Sequence, residues 1–195
     1  MTSDRFDAAY YHRHYLGADR VHSPRQLGQL ASGIFGLAGW FGLELRTVLD
    51  VGAGLGLWRD WLSRTHPGVR YRSVDVSPYA CETYGHELRD ISTWRARERF
   101  DLVVCHSVLQ YLDAAGAERA IDNLGAMCRG LLYLEAITRA DLDVVDRART
   151  DTAVHARAGR WYRRRLERHF MQVGAGLWAS RRSGLLFYEL EAAAR

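Results

Sequence analysis

The chain has no lysine: all 27 of its basic residues are arginine. That excludes a lysine base, a Schiff-base lysine and a P-loop phosphate ligand. With 23 acidic residues the net charge is only +4, too small to point to nucleic acid, and no nucleic-acid-binding motif is appended. Cysteine is sparse as well. Cys81, Cys105 and Cys128 stand apart and form no C-x-x-C pair, so neither a zinc site nor a redox dithiol is expected, and reduced thiols fit a cytoplasmic protein. No apolar run approaches the ~20 residues of a membrane span. The polar start Met1-Thr-Ser-Asp-Arg-Phe-Asp7 lacks a signal-peptide core. A cytoplasmic location with no membrane partner is therefore expected.

What is present is ordinary globular material: 195 residues, 48% hydrophobic and 26% charged, which is one domain by length. The chain is organised around Thr47-Val-Leu-Asp-Val-Gly-Ala-Gly-Leu-Gly-Leu57. Thr47 to Val51 read as a short buried strand. Gly52, Gly54 and Gly56 follow at alternate positions, and Leu57, Trp58, Trp61 and Leu62 then share one side of a helix. A strand, a glycine turn and a helix make half of a nucleotide-binding βαβ unit, in which the backbone approaches a ligand closely.

Around this stretch, Ser23-Pro24 reads as an N-cap with proline at the first helical position. Leu27, Leu30, Ala31, Ile34, Phe35, Ala38 and Phe41 continue at helical spacing. Gly33, Gly36 and Gly39 lie on another side, costing about 1 kcal/mol each against Ala and suggesting close packing there. Further strands are expected at 69–76, 86–89, 100–105 and 131–137. Pro78 opens a short helix to about Tyr84, and Ala117, Ala120, Ile121, Leu124 and Met127 mark one face of the helix after the 100–105 strand, where Gly130 is placed as a stop. Trp161, Tyr162, Leu166 and Phe170 mark one more helix. Residues 172–180 and 185–190 are expected to form a hairpin turning at Arg181-Arg-Ser-Gly184. Strands alternating with helices imply a mostly parallel sheet covered on both faces. Residues 1–195 are read as one domain, with an N-terminal helical cap at 1–45 and a lid or helix insert at 138–170.

The glycine spacing is G-x-G-x-G, with Asp50 two positions ahead. Leu57 stands where a dinucleotide fingerprint has its third glycine, which disfavours NAD. Asp75 follows 19 positions after Gly56 at a strand end, then come Asp90-Ile91 and His106-Ser-Val-Leu-Gln-Tyr-Leu112. In this order these features resemble the class I S-adenosylmethionine (SAM)-dependent methyltransferases over roughly residues 45–137. The resemblance implies a Rossmann-like, doubly wound, seven-stranded sheet of order 3-2-1-4-5-7-6 with a C-terminal antiparallel hairpin. It also implies SAM as cofactor and S-adenosylhomocysteine (SAH) as product.

By the same resemblance Asp50, Gly52, Ala53, Gly54 and Gly56 form the cofactor loop, and Asp75 holds the ribose hydroxyls with Val76 beside the adenine. Asp90 and Ile91 hold the adenine, His106 floors the cofactor, and Tyr11 and Tyr15 cap it. His106 and Glu135 are the candidate catalytic residues; Tyr111, Trp161 and Tyr162 are candidates for the acceptor wall. No metal is expected, since Asp141 and Asp143 lack a partner set. Without lysine, ribose 2′-hydroxyl transfer by a catalytic lysine is set aside. So are amine transfers that use an Asp/Asn-Pro-Pro-Tyr/Phe motif. A small-molecule acceptor fits best, with its O, N or C atom open. An RNA- or protein-directed enzyme with a rim at Arg163–Arg165 and Arg181-Arg182 stays as an alternative, as does an inactive SAM-binding partner subunit. Phe35, Trp40 and Phe41 are a candidate homodimer patch.

Overall fold

A computed structural model describes residues 5–16, 20–147 and 149–185. Its centre is β1 (Thr47–Val51), buried at every position. β1 lies parallel between β2 (Arg70–Asp75) and β4 (Phe100–His106). β3 (Glu87–Leu88) extends the sheet beyond β2, and β5 (Cys128–Glu135) lies parallel to β4. β7 (Leu177–Ser180) and β6 (Phe170–Gly174) close the other edge antiparallel, giving the order 3-2-1-4-5-7-6. This is the expected fold.

Side-chain alternation sorts the core into two layers. Val48, Leu102, Val104 and Leu131 face α2 (Pro24–Trp40) and α3 (Leu57–Thr65). Leu49, Val51, Val103 and Leu132 face α5 (Ala114–Met127) and α6 (Gly159–Leu166). The start of α2 is fixed by a capping box: Gln26 N donates to Ser23 Oγ at 3.2 Å and Ser23 N donates to Gln26 Oε1 at 3.0 Å, a device typically worth about 1 kcal/mol. The short helix α4 (Pro78–Tyr84) is capped by Ser77. Near the N-terminus, α1 (Ala8–Tyr11) runs into one π-helical turn, His12–Leu16.

Three expectations are corrected. The hairpin turn falls at Gly174-Ala-Gly176, where all three residues have positive φ (130°, 48° and 78°), so 172–180 holds parts of two strands and not one. Of the expected second strand, 186–190 lies outside the described residues. Gly130 does not stop a helix. α5 ends at Met127, and Gly130 sits inside β5, where a Cβ would strike the Asp101 carbonyl. Gly33, Gly36 and Gly39 do not provide close packing among the described residues, since a Cβ on any of them would meet none of their atoms within 4 Å. Of the candidate dimer patch, Phe35 packs on Trp61 and His66, while Trp40 is 82% exposed. Among the described residues, no helix is long and apolar enough to cross a membrane.

Candidate cofactor and acceptor cleft

The strand order reverses between β1 and β4, so a crevice opens at the carboxyl ends of the strands. The glycine loop forms its floor. Gly52 has φ +72°, and a Cβ there would collide with the Val108 side chain, so the position admits only glycine without rearrangement. The loop is tied to β2: Gly52 N donates to Val74 O at 2.8 Å and Gly54 N to Asp75 Oδ2 at 2.9 Å. On the outer side the Gly54 carbonyl lies 2.9 Å from His86 Nε2, and His86 Nδ1 lies 2.9 Å from Ser73 Oγ. A carbonyl can only accept, so Nε2 carries the proton and Nδ1 accepts from the serine.

Two buried carboxylates face each other across this loop. Asp75 accepts from Gly54 N and, through Oδ1, from Ser77 N at 2.9 Å. Asp50 accepts from the Tyr71 hydroxyl at 2.7 Å. Burial pushes the Asp50 carboxyl up to about 7, against the pull of that hydroxyl. Burial raises Asp75 too, opposed by its backbone donors. Among the described residues neither forms an ion pair. A pair of buried carboxylates without a cationic side chain is costly by itself, and it suits a ligand that brings positive charge and hydroxyl donors.

Aromatic rings cover the cleft. Phe6 meets Tyr10 and Tyr111 edge-on at centroid distances of 5.0 and 5.1 Å, and the Tyr10 and Tyr111 hydroxyls lie 2.9 Å apart. The Tyr11 ring reaches over Gly54. This cover is fastened to the segment after β5 by the Arg5–Asp151 ion pair at 2.5 Å and by Arg149 donating to Arg20 O at 2.8 Å. Beneath the cleft, buried Arg157 donates to the Leu109 carbonyl at 3.3 Å, the Leu112 carbonyl and the Tyr162 hydroxyl at 3.1 Å.

At the far end, His106 closes β4 opposite Glu135 on β5. His106 Nε2 lies 3.3 Å from Glu135 Oε1, but the contact lacks hydrogen-bond alignment and the nitrogen has no hydrogen-bond partner. The imidazole and the Tyr133 hydroxyl, which donates to Oε2 at 3.0 Å, hold the Glu135 carboxyl well below its usual range. The His22 ring stands 4.5 Å from that of His106, and burial followed by His106 lowers its pKa.

Ten of the sequence candidates line one cleft: Tyr11, Tyr15, Asp50, Gly52, Ala53, Gly54, Asp75, Val76, His106 and Tyr111. Gly56 lies behind it as the αL cap of α3, under the Arg59 guanidinium. Glu135 joins through His106. Asp90 and Ile91 are not brought to this lining. Asp90 accepts from Ser92 N at 2.8 Å, closing its own turn, and Ile91 belongs to the core. Trp161 and Tyr162 also sit elsewhere: Tyr162 is in the core, and Trp161 is stacked under the Arg165 guanidinium at 3.8 Å. Sequence reading missed His22, His86 and Arg157. Each is a single residue without a motif, and only the fold gives it a neighbour.

Residues 49–130 match the family model described as a methyltransferase domain. No curated protein matches by sequence. Among solved structures, the chain is similar to the N-methyltransferase NodS from Bradyrhizobium japonicum WM9 in complex with SAH, with TM-score 0.61 and 18% identity over 89% of this chain and 97% of that one. It is also similar to magnesium protoporphyrin IX methyltransferase (ChlM) from Synechocystis PCC 6803 with bound SAH, with TM-score 0.59 and 17% identity over 94% of each chain. A third is an O-methyltransferase family protein from Burkholderia thailandensis, with TM-score 0.57 and 18% identity over 83% of this chain and 59% of that one, so this chain spans little more than half of its length. Residues 49–130 thus carry the match to a methyltransferase domain, and the strand order and overall fold are those of the class I SAM-dependent methyltransferase structures the chain is similar to.

Proposed function

We propose that this chain transfers the methyl group of SAM to a small-molecule acceptor held between the glycine loop and the His106–Glu135 pair. The observation that carries this reading is that Asp50, Asp75 and His106 open on one cleft, with carboxylates at one end and an imidazole at the other. SAM suits the donor set. Asp75 would take the ribose hydroxyls, Asp50 the ammonium group, and Tyr11 and Tyr15 offer ring faces for a cationic sulfonium. SAM supplies an activated methyl group. The chain's task is to exclude water and align the acceptor, which can supply roughly 7–11 kcal/mol of the barrier. The acceptor's nucleophilic atom meets the end of the cleft formed by His106 and Glu135.

A small acceptor is favoured by the cover, since Phe6, Tyr10 and Tyr111 close over the cleft and the 149–153 segment is pinned across it. Three of the five arginines of the alternative rim are engaged within the chain. Arg165 pairs with Glu118 at 3.3 Å, Arg181 donates to Glu167 O at 2.9 Å and Arg182 to Gly125 O at 2.9 Å. The test is transfer of labelled methyl from SAM to a panel of phenols, thiols, amines and carboxylates. Turnover with one class, lost in His106→Ala, supports the reading. Tight SAM binding with turnover only on RNA or protein, or on nothing at all, sinks it.

A further inference from the structure

His22, His106 and Glu135 come from three separate places: the segment before α2, the tip of β4 and the tip of β5. Their ligand atoms lie within 4.8 Å of one another. Nε2 of His22 and Nε2 of His106 are both buried, and among the described residues neither has a hydrogen-bond partner. Buried polar atoms are normally paired, because water has been taken from them. Here two imidazoles and a carboxylate converge, and His106 Nε2 and Glu135 Oε1 approach to 3.3 Å without hydrogen-bond alignment. A proton shared by His106 and Glu135 would satisfy one nitrogen and leave the other.

We infer that His22 Nε2, His106 Nε2 and a Glu135 carboxylate oxygen bind one divalent transition-metal ion of the zinc or iron(II) class at the acceptor end of the cleft. Two imidazoles and one carboxylate on one side of an ion are a donor set of borderline softness with positions left open. Three ligands around a tetrahedral ion at 2.0–2.2 Å stand roughly 3.4 Å apart, so the side chains need to close by on the order of 1 Å. Support for the ligands is already built. The Tyr133 hydroxyl fixes the second Glu135 oxygen at 3.0 Å, the kind of outer contact that orients a metal-ligating carboxylate. His22 and His106 line the cleft itself, so the open positions face the acceptor.

This deepens the proposed methyl transfer and rests on it for the acceptor's class, an ionisable hydroxyl or thiol. On ligation the O–H or S–H gives its proton to solvent, because a bound cation lowers its pKa. The freed lone pair forms the bond to the methyl carbon as the sulfonium S–CH3 bond breaks, and neutral SAH leaves.

The experiment titrates zinc, and cobalt(II) for its visible spectrum, into the chelator-treated chain by calorimetry. Wild type, His22→Ala and Glu135→Gln are compared, with circular dichroism melting to show that each variant is folded. One ion per chain, with affinity reduced at least tenfold in both variants and a tetrahedral or five-coordinate cobalt spectrum lost with it, is the expected result. No binding, or equal binding in folded His22→Ala, overturns the site. SAH is titrated into the wild type in parallel. SAH binding without the ion leaves the methyltransferase reading and removes this one, and the ion without SAH does the reverse.

Discussion

The Tyr71 hydroxyl on β2 donates a 2.7 Å hydrogen bond to Asp50 at the tip of β1, one strand across in the sheet. It is a neutral donor to a buried carboxyl that stands at about 7. An unfolded aspartate sits near 3.9. Between those two values the folded chain binds the extra proton, so the ligand-free protein loses stability as pH rises through about 4 to 7 from this group. A ligand carrying an ammonium group needs the carboxylate, so SAH affinity rises as pH climbs through about 7. Calorimetry at about pH 6 and about pH 8 checks the sign, and Asp50→Asn should flatten the dependence. Tyr71→Phe, which removes the donor, should push the midpoint higher still.

Gly52→Ala is expected to damage cofactor binding more than the fold. It forces an L-residue into the left-handed region, at about 1–2 kcal/mol, and drives a methyl group into Val108. SAH affinity should fall at least tenfold. Adding Val108→Ala should restore part of it, because the collision is relieved and the backbone strain is not. Full recovery in the double variant would mean that φ at Gly52 is unimportant.

Arg157 should matter for stability out of proportion to its motif-free sequence. Its guanidinium is buried and joins the Leu109 and Leu112 carbonyls to the Tyr162 hydroxyl. Arg157→Met leaves those acceptors unpaired, at about 1–3 kcal/mol each before relaxation. Urea unfolding should show a loss of roughly 2–4 kcal/mol, and Arg157→Lys should not restore it, since one ammonium cannot span the fork.

The opposite sign is expected on α2. Gly36 faces open space in mid-helix, so Gly36→Ala should stabilise by roughly 0.5–1 kcal/mol. A lower melting temperature in that variant would show that the glycine faces a contact made only in an assembly.

These residues also show what the sequence can carry. The β1–loop–α3 unit was legible because each step is local. A short buried strand, glycines at fixed intervals and helical spacing all lie within the one stretch Thr47–Thr65. Asp75 was legible because a strand end fixes where its side chain goes. The hairpin was misplaced because Val173-Gly-Ala-Gly-Leu177 reads as a weak strand until Gly174 and Gly176 are seen to supply positive φ. Gly130 was misread because helix stop and close strand packing call for the same residue. Asp90 and Ile91 follow the family's order, yet here the carboxylate closes its own turn. His22 carries no local signal at all; only the packing of the segment before α2 against β4 brings it to His106.

The central claim is a SAM site built on the glycine loop and two aspartates, and Asp75 tests it most directly. It anchors both Gly54 N and Ser77 N. SAM and SAH should be titrated calorimetrically into wild type and Asp75→Ala, with NAD in parallel. Micromolar binding of SAM and SAH by wild type, at least a hundredfold weaker in a folded Asp75→Ala, and no binding of NAD is the expected result. Wild type that binds neither SAM nor SAH, or an Asp75→Ala variant that binds them as well as wild type, would contradict it.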